Sequence, residues 1–169
     1  MTTDKIYLVG FIGSGKSTVG RLLAERLQWR GEDIDELIEA RERQTIADIF
    51  AKRGEPYFRA VERDTLKLLL PIRSMVVATG GGTFADPDNR AAMLLDGTVV
   101  WLDVPLGELI PRIPLDGRRP VAADRPALER LHAARVDTYR LAHLRVNASR
   151  VSPMVVVDRV LSAIAEAGV

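Results

Sequence analysis

The sequence contains no cysteine, and this absence excludes disulfide bonds and thiolate metal sites. An excess of one charge is also missing, because 24 Lys and Arg residues face 23 Asp and Glu residues and leave a net charge of +1. A dedicated nucleic-acid-binding protein would normally carry a clustered basic excess. No apolar stretch approaches the roughly 20 residues that span a bilayer, and the short polar N-terminus leaves no room for a signal peptide. We therefore expect a cytoplasmic monomer that binds neither nucleic acid nor membranes.

The length of 169 residues predicts one domain over residues 1–169, and a hydrophobic fraction of 47% is enough for a buried core. Apolar, β-branched runs predict strands at residues 5–9, 75–79 and 98–104, with a weaker one at 144–147. Helical patterns lie between these runs. The alternation predicts an α/β fold in which helices cover both faces of a parallel sheet.

Three of the predicted helices carry local start or stop signals. Thr45, with an acidic residue three positions later, resembles a capping box that opens a helix. The apolar spacing of residues 58–69 predicts another helix, which Pro71 stops. The pair Ser152-Pro153 is a start signal for the last helix.

Residues 10–17 read G-F-I-G-S-G-K-S, the motif of a loop that binds nucleotide phosphates. An apolar strand precedes the motif and a helical pattern follows it, which is the setting that the motif requires. Glycines let successive N–H groups point at phosphate oxygens, and the N-terminus of the helix adds partial positive charge. Lys16 reaches the β- and γ-phosphates, and the Ser17 hydroxyl can bind Mg²⁺. The chain is therefore predicted to bind a nucleoside triphosphate.

Two carboxylates and an arginine are candidates for chemistry beside this loop. Asp33 and Asp35 are two residues apart, so in an extended segment both side chains would lie on the same side. One could hold Mg²⁺ through water while the other faces an acceptor hydroxyl, and the alternative is a solvated acidic turn. Arg59 lies beside the apolar Phe58 and suits bidentate binding of a carboxylate, with a surface salt bridge as the alternative.

Gly80, Gly81 and Gly82 directly follow a predicted strand and would expose backbone N–H groups to a ligand. Further along, residues 111–126 combine four prolines with four arginines. This long polar stretch predicts a lid over the phosphates, or else a solvated surface loop. Within it, Arg119 could neutralise charge on a transferred phosphoryl group.

The order of these motifs resembles the shikimate kinase family over nearly the whole chain. Each piece is common by itself, whereas the order and spacing of the pieces are specific. The matching pieces are residues 10–18, Asp33-x-Asp35, Ile46-Ala47-Asp48-Ile49-Phe50, Gly54-Glu55 with Phe58-Arg59, Gly80-Gly81-Gly82, Arg119-Pro120, and Arg135 with Tyr139.

The resemblance implies a three-layer P-loop fold around a five-stranded parallel sheet in the order 2-3-1-4-5. It also implies a phosphate loop at residues 10–18, a substrate-binding region at residues 33–61 and a lid at residues 111–126. The activity that it implies is the phosphorylation of shikimate to shikimate 3-phosphate, a step towards chorismate and the aromatic amino acids. ATP would be the co-substrate and Mg²⁺ the metal.

The resemblance further implies a role for individual residues. Lys16, Asp35 and Arg119 would be catalytic, with Asp35 orienting the acceptor hydroxyl and accepting its proton. Shikimate would be held by Asp35, Arg59, Gly80, Gly81, Gly82 and Arg135, with Arg59 and Arg135 on its carboxylate. ATP would be held by Gly13, Ser14, Gly15, Lys16, Ser17, Thr18, Arg112, Arg119 and Arg150, and Mg²⁺ by Ser17 and Asp33.

Two other functions fit part of the pattern. A related kinase of the gluconate or nucleotide type would keep the phosphate loop and change the acceptor. A nucleotide-dependent switch without catalysis would need only the loop. The sequence lacks the Asn-Lys-x-Asp and Asp-x-x-Gly motifs that are typical of such switches. A switch function would also give Asp35 and the three glycines no purpose.

Overall fold

A parallel β-sheet forms the centre of the computed structural model, which describes residues 3–113 and 124–169. Within these residues the sheet has five strands in the order β2-β3-β1-β4-β5, as predicted. Every residue of the central strand β1 is buried, so the sheet is covered on both faces. The strands are β1 (Lys5–Val9), β2 (Arg30–Asp33), β3 (Met75–Ala78), β4 (Thr98–Asp103) and β5 (Leu144–Asn147).

The described part of the chain has eight α-helices, of which seven lie between strands and the eighth follows β5. Short 3₁₀ turns at Thr83–Ala85 and Ile110–Arg112 complete the connections. None of the helices in residues 3–113 and 124–169 is long and apolar enough to cross a membrane. The helices are α1 (Lys16–Leu27), α2 (Ile34–Glu42), α3 (Ile46–Arg53), α4 (Glu55–Leu69), α5 (Pro87–Asp96), α6 (Leu106–Leu109), α7 (Arg125–Tyr139) and α8 (Pro153–Ala167).

The local helix signals act as predicted. The Thr45 hydroxyl accepts a hydrogen bond from the Asp48 N–H at 3.1 Å and caps α3. Ser152 caps α8 in the same way, with Pro153 in the first turn. Helix α4 ends at Leu69, two residues before the proline.

Strand β2 differs from the others because its sequence, Arg-Gly-Glu-Asp, contains no apolar side chain. It lies at the edge of the sheet and pairs only with β3 among the described strands. An edge strand can satisfy its backbone on one side while its side chains face water. Its polar composition therefore hid it from the search for apolar runs, and only the family resemblance implied a fifth strand.

The carboxyl ends of three strands lie level with one another at one end of the sheet. Leu8 of β1 pairs with Ala78 of β3, and Ala78 pairs with Asp33 of β2. Strand β1 lies between β3 and β4, where the chain changes direction across the sheet. Ligands of open α/β sheets bind beyond the carboxyl ends of the strands at this switch point.

A polar cluster lies at the opposite end of the sheet, where β1 starts. Lys5 is fully buried, and its Nζ donates to the Leu69 carbonyl and to Asp96 Oδ2, both at 2.7 Å. Tyr7 and Arg73 also donate to the Asp96 carboxylate. Burial alone would raise the pKa of Asp96, but these three donors outweigh it and hold the pKa below its ordinary value.

Candidate active site

The phosphate loop leads directly from β1 into α1. Gly13 and Gly15 have φ angles of 81° and 91°, in the left-handed region that favours glycine. The turn over residues 11–14, which contains Gly13, is closed by the Ser14 N–H, which donates to the Phe11 carbonyl at 3.1 Å. Helix α1 then begins at Lys16, so the N–H groups of its first turn point towards the loop.

Lys16 is buried and its ammonium group lies against the loop itself. Its Nζ donates to the carbonyls of Gly10 at 2.8 Å and Phe11 at 3.0 Å. These contacts hold a positive charge where the sequence predicts bound phosphates. Thr18, in the first turn of α1, is exposed.

The structure corrects the predicted geometry of Asp33 and Asp35. The segment is not extended, because β2 ends at Asp33 and Asp35 already lies in the first turn of α2. Asp33 Oδ1 accepts from the Glu36 N–H at 3.2 Å and caps this helix, while its Oδ2 accepts from the Ser17 hydroxyl. The two carboxylates therefore lie apart, with Asp33 beside the phosphate loop and Asp35 further along the same end of the sheet.

Residues of the loop and of the neighbouring strand ends surround a cavity of about 590 Å³, including its mouth, which we call the loop cavity. It brings together both predicted metal residues and five residues of the predicted phosphate loop with Asp35 and two of the three glycines, whereas Ser14, Arg112 and Arg150 do not line it. It is lined by Gly13, Gly15, Lys16, Ser17, Thr18, Asp33, Asp35, Thr79, Gly80 and Gly81.

A second cavity, of about 550 Å³ including its mouth, brings together all six residues predicted to hold the acceptor. We call it the arginine cavity. It shares Asp35, Gly80 and Gly81 with the loop cavity, so the two spaces meet at these three residues. Its lining is Asp35, Arg59, Glu62, Gly80, Gly81, Gly82 and Arg135, with an apolar wall of Phe11, Ile12, Ile46, Phe50, Phe58 and Leu131.

Arg59 is held in the arginine cavity by two carboxylates of its own helix, α4. Its Nη1 donates to Glu62 Oε1 at 3.0 Å, and its Nε donates to Glu55 Oε1 at 3.4 Å. Burial alone would lower the pKa of Arg59, but Glu62 and Glu55 outweigh it and raise the pKa above its ordinary value. The guanidinium group therefore stays charged and points towards the cavity.

Glu62 is a site residue that the sequence analysis did not single out. Its side chain is only 1% exposed, yet it carries a carboxylate. A signal was available, because Glu62 falls on the face of α4 that also buries Val61, Thr65 and Leu66. A charged residue on an otherwise apolar helix face normally has a buried partner.

Helix α7 contributes Arg135 to the cavity and also fixes the glycine segment. The Tyr139 hydroxyl, one turn after Arg135, donates to the Gly81 carbonyl at 2.6 Å. Burial raises the pKa of this hydroxyl, so it remains a donor. The Tyr139 ring packs against Trp101 of β4, with 5.9 Å between the ring centroids.

Arg112 and Arg150 lie together on the other side of the phosphate loop. Arg112 Nη1 donates to the Gly13 carbonyl at 3.1 Å, while Arg150 N–H donates to Glu108 Oε2 at 3.0 Å. Glu108 connects the two, because it also pairs with the Arg112 guanidinium at 3.5 Å. Hydrogen bonds from Ser149 and the Arg150 backbone lower the pKa of this carboxylate. The Arg150 side chain is exposed.

Most of the predicted lid lies outside the described residues. This applies to residues 114–123, and therefore to Arg119. The described flanks are the 3₁₀ turn Ile110–Arg112 with Ile113, and the start of α7, which Asp124 caps.

Comparison with known proteins defines first the class of protein. A phosphate loop that follows the central strand of a 2-3-1-4-5 sheet is the arrangement of a P-loop kinase. A crystal structure of shikimate kinase from Aquifex aeolicus superposes with a TM-score of 0.89 at 34% identity and covers 98% of both chains. The shikimate kinase from Acinetobacter baumannii in complex with shikimate gives a TM-score of 0.92 at 35% identity, over 98% of this chain and 95% of that one.

The sequence then identifies the family. Residues 12–165 match the family model described as shikimate kinase. The shikimate kinase of a Sulfurihydrogenibium species is 44% identical over 160 residues, which cover 94% of this chain and 96% of that protein. The chain belongs to the shikimate kinase family, whose members are enzymes that phosphorylate shikimate with ATP. The predicted family, fold and enzyme class are thereby confirmed.

Proposed function

We propose that shikimate binds in the arginine cavity and that ATP binds along the phosphate loop, so that phosphoryl transfer takes place where the two cavities meet. The observation that carries this proposal is the shared border of Asp35, Gly80 and Gly81. Phosphoryl transfer requires the acceptor hydroxyl and the γ-phosphate to be in line and in contact. Two cavities that share a border at a carboxylate would allow this contact between the hydroxyl and the γ-phosphate.

The chemistry of the arginine cavity supports a carboxylated, hydroxylated ring as its ligand. Arg59 and Arg135 offer positive guanidinium groups for the carboxylate. The apolar wall that includes Phe50 and Phe58, whose ring centroids are 4.8 Å apart, suits the carbon face of a ring. Asp35, at the border with the loop cavity, would face the hydroxyl groups of the ring.

The loop cavity supports the predicted roles on the ATP side. Lys16, with the loop backbone of Gly13, Ser14 and Gly15, would hold the phosphates, while Arg112 and Arg150 would lie towards the adenine. Thr18 and Arg119 keep their predicted roles in binding ATP.

The Ser17 hydroxyl and the Asp33 carboxylate fit Mg²⁺. Both are oxygen ligands, they contact each other, and both line the loop cavity. A magnesium ion at this point would neutralise negative charge on the β- and γ-phosphates.

In the proposed reaction the acceptor oxygen forms a bond to the γ-phosphorus while the bond from that phosphorus to the bridging oxygen of ADP breaks. The acceptor proton passes to the Asp35 carboxylate as the new bond forms. Lys16 and Arg119 stabilise the charge on the transferred group. Closure of the predicted lid, residues 111–126, would exclude water and suppress hydrolysis of ATP.

The substitution Asp35→Asn tests this proposal because it keeps the shape of the side chain and removes the base. We expect kcat to fall by about 10² to 10⁴-fold, while KM for ATP stays within about twofold of its original value. Steady-state kinetics with a coupled assay for ADP measures both. Asp158→Asn is the control, since Asp158 is exposed and pairs with Arg26 on the surface. Near-normal turnover of Asp35→Asn would contradict the assignment.

The same assay separates the alternative functions. We expect ADP release to depend on shikimate. Release that depends on gluconate or a nucleotide would indicate a different acceptor, and no stimulation by any acceptor would indicate a binding module. The cytoplasmic location, the monomeric state and the absence of nucleic-acid and membrane binding stay predictions, of which sedimentation velocity tests the monomer.

A further inference from the structure

The hydroxyl of Thr83 occupies a central place beside the glycine segment, in the first residue of the 3₁₀ turn that follows it. Thr83 is fully buried. Its Oγ1 accepts from the Gly80 N–H at 3.0 Å and donates to Glu62 Oε2 at 2.8 Å. The hydroxyl thus connects the backbone of the glycine segment to a buried carboxylate of α4.

This connection continues to the arginine cavity. Glu62 uses one oxygen for Thr83 and the other for Arg59. A carboxylate with a directed partner on each oxygen has one orientation, since rotation would break both hydrogen bonds. The direction of the Arg59 guanidinium group therefore depends on where Thr83 holds Glu62.

Thr83 itself is fixed independently of any ligand. Its N–H donates to the Gly80 carbonyl at 3.3 Å, and its carbonyl accepts from Asn89 Nδ2 at 3.2 Å. Asn89 is a buried residue of α5. Both backbone groups of Thr83 are thus hydrogen-bonded, and they place its hydroxyl beside Glu62.

The surroundings of Gly80 explain why a donor is needed at this point. A Cβ atom at Gly80 would lie 3.0 Å from Asp35 Oδ1, 3.2 Å from Thr83 Oγ1 and 3.3 Å from Glu62 Oε2. Two carboxylates therefore converge on one glycine. The Thr83 hydroxyl donates to Glu62 at the place where the two carboxylates converge.

We propose that Thr83 is a positioning residue for the acceptor, which acts by fixing Glu62 and, through it, Arg59. This inference rests on the proposed function, because it assumes that Arg59 binds the carboxylate of shikimate. It adds a residue outside the phosphate loop and outside the direct lining of the cavity.

Thr83→Val tests the inference, since valine has nearly the same shape and lacks the hydroxyl. We expect KM for shikimate to rise by about 10-fold while KM for ATP stays within about twofold. Thr83→Ser, which keeps the hydroxyl, should restore most of the affinity. If the valine variant does not fold, Thr83→Ala makes the same comparison without adding a methyl group.

Thr65→Val is the matched control. Thr65 is also buried and lies on α4, but its hydroxyl donates to the Val61 carbonyl of its own helix at 2.8 Å. We expect Thr65→Val to lower the melting temperature and leave both KM values unchanged. This control separates the loss of a buried hydroxyl from the loss of position at Arg59.

The outcomes distinguish this inference from the proposed function. If the unmodified protein does not phosphorylate shikimate, the proposed function is wrong. If it does, and Thr83→Val leaves KM for shikimate unchanged or raises both KM values equally, the positioning role of Thr83 is wrong. A selective rise with rescue by serine supports it.

Discussion

At the scale of single residues, the missing side chain of Gly82 leaves the room that the Arg59 guanidinium group occupies. A Cβ atom at residue 82 would be 2.6 Å from Nη2 and 2.7 Å from Nη1 of Arg59. Gly82 has a φ angle of −109°, which alanine also adopts, so the backbone does not require glycine. The requirement comes from the arginine that packs on it.

Gly82→Ala should therefore act on binding and leave the fold intact. The new methyl group displaces the end of a flexible side chain, so we expect KM for shikimate to rise by about 10-fold while the melting temperature changes little. Kinetics with shikimate as the varied substrate, beside a thermal melt, measures both effects. An unchanged KM would show that Arg59 does not bind the acceptor in this position.

Residues of the site differ in how well the sequence predicts them. Lys16, Asp35 and Arg59 lie in short motifs, so the local pattern and the family resemblance single them out. Glu62 and Thr83 lie 21 positions apart and meet only when α4 packs beside the end of β3. No local pattern reports such a contact, because it depends on tertiary packing.

At the scale of secondary-structure elements, the same limit separates β2 from the other strands. The central strands are apolar because both faces are buried, and their composition predicts them directly. Strand β2 is held by its backbone pairing with β3 and by its place at the edge, neither of which is visible in its four residues. The helix caps at Thr45 and Ser152 were predicted because a cap is a local contact.

A hydrogen bond from the Tyr139 hydroxyl to the Gly81 carbonyl joins helix α7 to the glycine segment. The same helix carries Arg135 and follows the predicted lid. The carbonyl of Gly81 belongs to the peptide group that also contains the Gly82 N–H, so the Tyr139 hydroxyl fixes the direction of that donor. This hydrogen bond therefore links the position of Arg135 on α7 to that of the glycine segment.

Tyr139→Phe should loosen this relation. We expect KM for shikimate to rise by about 3- to 10-fold and the free energy of unfolding to fall by about 1 kcal/mol, since one buried hydrogen bond is lost. Tyr7→Phe is the matched control, because Tyr7 is equally buried and the substitution removes its hydrogen bond to Asp96 at the opposite end of the sheet. Urea unfolding and kinetics of both variants make the comparison. Equal effects on KM would contradict a specific link.

At the scale of the whole molecule, the two ends of the sheet carry different polar groups. The end at which the strands finish holds the cavities, and the end at which they start holds the Asp96 cluster with Lys5, Tyr7 and Arg73. The lowered pKa of Asp96 means that the folded protein favours its ionised form. This preference stabilises the fold above the ordinary pKa of an aspartate, about 3.9.

Asp96→Asn should lower the free energy of unfolding at pH 7 by about 2 kcal/mol, because Lys5 loses its buried partner. The difference from the unmodified protein should shrink as the pH falls below about 4, because Asp96 of the unfolded chain then binds a proton, and it should disappear once the pH also falls below the lowered pKa of Asp96 in the folded protein. Urea unfolding at several pH values measures this. Asp4→Asn is the control, because Asp4 pairs with Arg73 in an exposed position and should change stability by less than about 0.5 kcal/mol. A difference that stays constant with pH would contradict the role of the Asp96 charge.

The common border of the two cavities also bears on inhibitor design. Because Asp35, Gly80 and Gly81 line both spaces, a ring that carries a carboxylate can be tethered covalently to a polyphosphate by a very short linker. Such a tether makes the second binding event intramolecular, with an effective concentration of roughly millimolar. A bisubstrate compound of this kind should bind more tightly than either of its fragments and compete with both substrates at once.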